Sequence, residues 1–200
     1  MMSREYLEQT ILFHYHSVFP AREEDYIRRV VVIELGARAE HWPTENKAIQ
    51  PYISELFPDK FPTKRYSTEV RLLKPERTFL EKITALHSYY HKNPRNIKRL
   101  SRHYYDIVQL IEMGIAKQAL NQPELLDHVV KNKSLFFPDK HAKYDEARIG
   151  TLRLLPAEEL NKALRQDYHA MSGMFFGEYP TFDEIIEKIS RLEKQINGMF

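Results

Sequence analysis

The spacing of apolar positions along the chain changes character at Pro75. Before it, apolar residues come in short runs. Ile11 to Ser17 is an aromatic and aliphatic run, and Val30 to Leu35 is continuous and rich in β-branched residues. The second run predicts a strand buried on both faces. Val70 to Leu73 predicts a third strand, closed by Pro75. Gly36 and Pro43 punctuate the interval between the second and third strands, and Ala48 to Phe57 predicts one short helix bounded by Pro58 and Pro62.

Beyond Pro75 the apolar period lengthens from two to 3.6 residues. Phe79, Ile83, Leu86 and Tyr90 fall on one helical stripe. Tyr104, Ile107, Val108 and Ile111 form a second, stopped by Gly114. A third helix opens at Pro123, a residue suited to a first turn, and carries Leu125, Leu126, Val129 and Val130. A fourth starts from Pro156 and carries Leu160, Leu164, Met171 and Phe175. In the last, Thr181 and Glu184 have capping-box spacing ahead of the apolar face Phe182, Ile185, Ile186, Ile189, Leu192 and Ile196.

These elements predict an α+β fold, because strands precede helices without a repeated βαβ alternation. The expected division is a β-containing region over residues 1–74 and a helical domain over 75–200. Three strands are few for an independent sheet, so the front is expected to be the back half of a larger one.

Composition adds little to this picture. Hydrophobic residues make up 42% and charged residues 29%, as in ordinary globular chains, and a net charge of +2 does not by itself argue for nucleic acid. With no cysteine, disulfides, thiolate metal sites and cysteine nucleophiles are excluded. The first nine residues are polar and charged, and no apolar run approaches the roughly 20 residues of a membrane helix. The expectation is a soluble, cytoplasmic protein.

Few residues stand out chemically. Glu34 ends a run otherwise suited to burial, and a buried carboxylate needs a partner or a metal; Arg38 is the partner at hand. Lys82 lies about 60° from Phe79 on the flank of the third-strand-to-bundle helix, open to two readings. It either snorkels to water or fixes an ammonium at a cleft for phosphate. Glu81 points to the opposite, solvent side. Asp106 pairs either with Arg102, four residues before it, or with Lys82 of the preceding helix. Lys92, Arg95, Lys98, Arg99 and Arg102 are interleaved with Tyr89, Tyr90, Tyr104 and Tyr105, which reads either as a solvated loop or as an RNA-binding surface. The pairs His14 with His16 and His87 with His91 lack an evident third ligand and read as structural.

Several segments together resemble the carboxyl-terminal part of a known family. They are Val32-Ile33-Glu34-Leu35-Gly36-Ala37-Arg38, Val70-Arg71-Leu72-Leu73-Lys74-Pro75-Glu76-Arg77-Thr78-Phe79-Leu80-Glu81-Lys82, Ala85-Leu86-His87 and Ser101-Arg102-His103-Tyr104-Tyr105-Asp106. The later Lys133-Ser134-Leu135-Phe136-Phe137 and Asp167-Tyr168-His169-Ala170-Met171 resemble one branch of it. The family is the AbiEii/AbiGii toxins, nucleotidyltransferases of type IV toxin–antitoxin and abortive-infection systems.

The resemblance implies a partial nucleotidyltransferase-type sheet followed by a helical bundle. It implies Glu34 as a metal-binding acid, Lys82 as the phosphate-contacting lysine and Asp106 as a downstream catalytic acid, with Arg77 and Arg102 as further nucleotide contacts. His103 stands where the family often has an acid. Magnesium (Mg2+) and a nucleoside triphosphate are the expected cofactor and substrate, and tRNA or another RNA the acceptor of a nucleoside monophosphate. An antitoxin, a missing amino-terminal half or a second copy docked on an exposed sheet edge are the expected partners. The family's Gly-Gly-Thr/Ser turn has no counterpart ahead of Glu34, since no glycine precedes Gly36, and Glu23-x-Asp25 sits in a charged loop. The expectation is therefore a truncated enzyme, inactive alone; the alternative is a non-catalytic RNA-binding or protein-interaction module.

Overall fold

A computed structural model describes residues 9–15, 18, 26, 30–35, 42–92, 94, 96–175 and 177–198. His16, Ser17, Glu23, Asp25, Gly36, Arg38 and Arg95 lie outside these described residues. Strands β1 (Gln9–His14) and β2 (Val30–Leu35) form one antiparallel hairpin, with Glu34 opposite Thr10 and Ile33 opposite Ile11. Strands β3 (Thr44–Ile49) and β4 (Thr68–Leu73) form a second, with Thr44 opposite Leu73. Two short helices, α1 (Ile53–Leu56) and α2 (Thr63–Tyr66), lie between β3 and β4.

The remaining helices are α3 (Pro75–Lys92), α4 (Ser101–Glu112), α5 (Ile115–Leu120), α6 (Pro123–Phe136), α7 (Asn161–Ala170) and α8 (Phe182–Asn197). Strands first and helices after give the α+β class. No helix among the described residues is long and apolar enough to cross a membrane.

Four expectations are corrected. The run Val30 to Leu35 is not buried on both faces: Val31 is 50% and Ile33 46% exposed. Its described pairing is with β1 alone, and a two-stranded ribbon leaves both faces open. Second, Ala48 and Ile49 belong to β3 rather than to a helix, and only Ile53–Leu56 is helical in that stretch. The polar strand Thr44–Ile49 carries no apolar alternation; cross-strand bonds hold it, Arg71 Nε donating to Thr44 Oγ1 at 3.0 Å and Asn46 Nδ2 to Glu69 Oε1 at 3.1 Å. Third, the helix expected from Pro156 starts at Asn161 and ends before Phe175, which packs its ring on Tyr105, Tyr168 and Tyr179. Fourth, Tyr90 is 37% exposed, although it shares the sequence stripe of three fully buried residues.

The core is helical. Phe79 and Ile83 of α3, Ile107 and Val108 of α4, Val129 of α6, Leu164 of α7 and Ile185 and Ile189 of α8 are all fully buried in one cluster. Each such side chain contributes about 1.5–3 kcal/mol through lost apolar exposure. The capping box is formed: Thr181 Oγ1 accepts the Glu184 N–H at 3.3 Å, and Glu184 Oε2 accepts the Thr181 N–H at 2.6 Å. Helix α4 starts without a side-chain cap of its own, and the buried carboxylate of Asp167 on α7 serves instead. It accepts the backbone N–H of Arg99 at 2.7 Å and of Ser101 at 2.9 Å, and the Ser101 hydroxyl at 2.6 Å. This crosslink fixes where α4 begins and hence which side chains it turns toward α3. At its other end Gly114 takes φ +76°, a left-handed turn that separates α4 from α5.

Candidate nucleotide site

Helix α3 supplies three charged residues within two turns. Arg77 is completely buried; its Nε donates to Glu81 Oε1 at 2.9 Å, one turn on, and its Nη1 donates to the Trp42 carbonyl ahead of β3. Arg77 therefore ties the segment entering the second hairpin to the first turns of α3. Glu81 does not face open water as its helical angle predicts. Helix α6 packs against α3 on that side, and the Glu81 carboxylate feels both Arg77 and Lys133.

Lys82 reaches from the flank of α3 to α4, where its Nζ donates to Asp106 Oδ2 at 2.6 Å. Of the two partners open to Asp106, the one taken is Lys82, and Arg102, one turn before Asp106 on α4, is exposed. The pair is half-buried, with the two side chains 21% and 39% exposed. A solvated edge remains where a ligand oxygen has access to the ammonium.

Two further residues border this pair. Lys133, in the last turn of α6, holds its ammonium 5.4 Å from the Phe137 ring centroid. Burial, then the nearby Arg77 and Lys82 charges, push its pKa down, against the opposing pull of Glu81. His103 lies one turn before Asp106 and stacks on Tyr89 at 6.1 Å. Burial first, then Lys82 and Arg102, lower its pKa to about 4, so its imidazole is neutral at pH 7. Lys133 was not singled out from the sequence as a site residue. Its signal was there: it continues the Leu126, Val129 stripe at helical spacing, where an apolar residue is expected.

The other candidates lie apart or are absorbed by packing. Glu34 is exposed on β2 and forms neither an ion pair nor a hydrogen bond with Lys82. Among the described residues no three histidine or acidic side chains stand close enough to cage a metal ion. Magnesium takes an octahedron of oxygens, and the single carboxylate of Glu34 does not fit that demand. In the tyrosine and lysine stretch, Tyr104 is in the core, Lys92 pairs with Asp139 at 2.9 Å, and Arg99 lies over the Tyr26 ring at 5.1 Å. His87 is fully buried: its Nδ1 accepts the Arg153 N–H at 3.1 Å and its Nε2–H donates to the Lys143 carbonyl at 3.0 Å. Both ring nitrogens are thus engaged by backbone, and desolvation lowers its pKa. An open cleft lined by Tyr90, His91 and residues 156–159 sits at the far end of α3, about 12 Å along the axis from Lys82 at the α-helical rise.

A half-buried ammonium oriented by a carboxylate, with further cations beside it, is suited to hold a phosphate group. Comparison with curated proteins and with solved structures gives no match in either case. Comparison with protein families gives one, described as nucleotidyl transferase AbiEii toxin of type IV toxin–antitoxin systems, over residues 4–188. A match spanning nearly the whole sequence and enclosing both Lys82 and Asp106 means that this chain belongs to the AbiEii nucleotidyltransferase toxin family.

Proposed function

We propose that the α3–α4 face is the phosphate-binding side of a nucleotidyltransferase site, with Lys82 contacting a nucleoside triphosphate and Asp106 orienting that lysine. The single observation that carries this reading is the 2.6 Å contact between them, made across two helices by residues 24 positions apart. In the reaction class of the family, an acceptor hydroxyl attacks the α-phosphorus, the bond to the β-phosphate oxygen breaks, and pyrophosphate leaves. Negative charge grows on the phosphate oxygens during that step, and a fixed ammonium stabilises it. The acceptor in this reading is an RNA such as tRNA. Arg102 supplies a second, exposed cation beside the pair, and Arg77 acts through Glu81 as a positioning residue.

Glu34 brings one carboxylate, and divalent-metal phosphoryl transfer uses several around ions about 3.5–4 Å apart. In this reading residues 75–200 bind and orient nucleotide, residues 1–74 belong to the sheet side, and further carboxylates come from outside these residues. The β1–β2 hairpin, with Ile11, Phe13, Val31 and Ile33 exposed, is the surface proposed for a partner, whether antitoxin, amino-terminal half or second copy. The setting is cytoplasmic, where nucleoside triphosphates and tRNA occur together.

The test uses each α-labelled nucleoside triphosphate with magnesium and total tRNA. The chain is expected to retain labelled nucleotide on a filter and to leave the tRNA unlabelled. Label in tRNA with this chain alone contradicts the need for added carboxylates; no retained nucleotide contradicts the site itself.

A further inference from the structure

We infer that His103 is a further substrate-contacting residue of this site, donating a hydrogen bond to a ribose hydroxyl of the nucleotide whose phosphates Lys82 holds. Tyr89 is its positioning residue. The inference rests on the reading of the α3–α4 face given above.

Two neighbouring contacts between α3 and α4 carry it. The first joins Lys82 Nζ to Asp106 Oδ2 at 2.6 Å. The second stacks the Tyr89 ring on the His103 ring, with centroids 6.1 Å apart and an interplanar angle of 28°. On α3, Tyr89 lies two turns beyond Lys82 and, at about 100° per residue, about 20° from the same line. On α4, His103 comes three residues before Asp106, so the two are neighbours on one helix surface, about 5–6 Å apart at Cβ. Every α3 residue between Lys82 and Tyr89 is buried except Ala85, whose side chain is a single methyl. The face therefore runs from an ammonium to a stacked imidazole with no bulky α3 side chain rising between them.

The two ring nitrogens of His103 differ. Among the described residues neither forms a hydrogen bond; Nδ1 is sealed from water, while Nε2 keeps contact with solvent. A buried N–H without an acceptor is rarer and costlier than a buried lone pair, so the proton of the neutral ring sits on Nε2, at the open side. Burial, then the Lys82 and Arg102 charges, hold the pKa at about 4, and the ring is uncharged at pH 7. Phosphate is served better by the charged Lys82 and Arg102, whereas a neutral donor suits a hydroxyl. An ammonium followed by a neutral N–H matches the order of phosphate and ribose along a nucleotide. The stack on Tyr89 restricts the imidazole, so that Nε2 keeps this aim.

The experiment is equilibrium binding to the full chain, with magnesium at neutral pH, of each ribonucleoside triphosphate and its 2′,3′-dideoxy counterpart. The native protein is expected to bind a ribonucleotide about three- to tenfold more tightly than its dideoxy form, the contribution of one neutral hydrogen bond. His103→Leu is expected to abolish that preference and to leave dideoxynucleotide binding in place. His103→Gln, which keeps an N–H donor, is expected to retain most of it. Tyr89→Leu is expected to lose part of the preference, and Tyr89→Phe, which keeps the ring, to retain it. Lys82→Ala is expected to weaken both nucleotides alike. If the native chain binds nucleotides without the preference, or His103→Leu keeps it, the inference is overturned and the Lys82 reading stands. Equal weakening of both nucleotides by His103→Leu means that His103 acts through packing, and this too overturns the inference. Full preference in Tyr89→Leu overturns the role given to Tyr89. If the native chain binds neither nucleotide, both readings fall.

Discussion

Lys82 on α3 and Asp106 on α4 meet at 2.6 Å, and this contact orients an ammonium that would otherwise rotate freely in solvent. Because both side chains remain partly exposed, the contact is worth little as a fold stabiliser, about 0.5–1 kcal/mol. A double-mutant cycle with Lys82→Met and Asp106→Asn, read by urea unfolding, is expected to give a coupling of that size that shrinks with added salt. Coupling near zero at low salt would mean that the two groups do not meet in solution.

Asp167 holds the start of α4 from far along the sequence, 68 residues from Arg99 and 66 from Ser101, through the Arg99 and Ser101 N–H groups and the Ser101 hydroxyl. Replacing it by Ala strands those donors in a buried position. Asp167→Ala is expected to cost about 2–4 kcal/mol in urea unfolding, while Asp167→Asn, which retains one acceptor, costs less. A variant as stable as the native chain would show that α4 needs no such cap.

His103 makes stability depend on pH in a defined window. Its folded pKa of about 4 lies below the reference value of 6.5, so the unfolded chain binds more protons between those limits. Stability is therefore full above about pH 6.5 and falls as pH drops toward 4, by up to about 3 kcal/mol from this residue. His87, lowered by burial, acts in the same direction. Urea unfolding from pH 7.5 to 4.5 is expected to show the loss, and His103→Gln to flatten it. An unchanged slope in the variant assigns the loss to other groups.

Lys133 is expected to behave oppositely to a structural lysine. Removing a desolvated ammonium repelled by Arg77 and Lys82 leaves its apolar stem replaceable. Lys133→Met is expected to keep or raise the thermal midpoint, by the equivalent of up to about 1 kcal/mol. A clear destabilisation would show that the cation is needed for the fold.

The helical half was legible because one strong pattern governs it. Phe79, Ile83 and Leu86 recur at helical spacing and are all buried, and Thr181 with Glu184 forms the capping box that their spacing announces. The front was less legible for two physical reasons. Thr44–Ile49 is mostly polar and becomes a strand through antiparallel pairing with Thr68–Leu73, a partner distant in the sequence, Thr44 standing opposite Leu73 and Ile49 opposite Thr68. Val30–Leu35 has the composition of a buried strand, yet composition cannot say what covers it. At the site, the flank position of Lys82 and the turn spacing of Asp106 allowed their contact as one of two outcomes, and tertiary packing of α3 on α4 decided it. Glu81 and Lys133 were misplaced or passed over because a helical wheel has no knowledge of a third helix. Helix α5, Ile115–Leu120, is too short at six residues for its periodicity to show.

The central claim is that Lys82, oriented by Asp106, binds the phosphates of a nucleoside triphosphate. Its most direct test is equilibrium binding of a labelled nucleoside triphosphate with magnesium to the native chain and to Lys82→Ala. Saturable binding that weakens at least about tenfold in the variant is the predicted result. Binding that is absent from the native chain, or equally tight in both proteins, would contradict it.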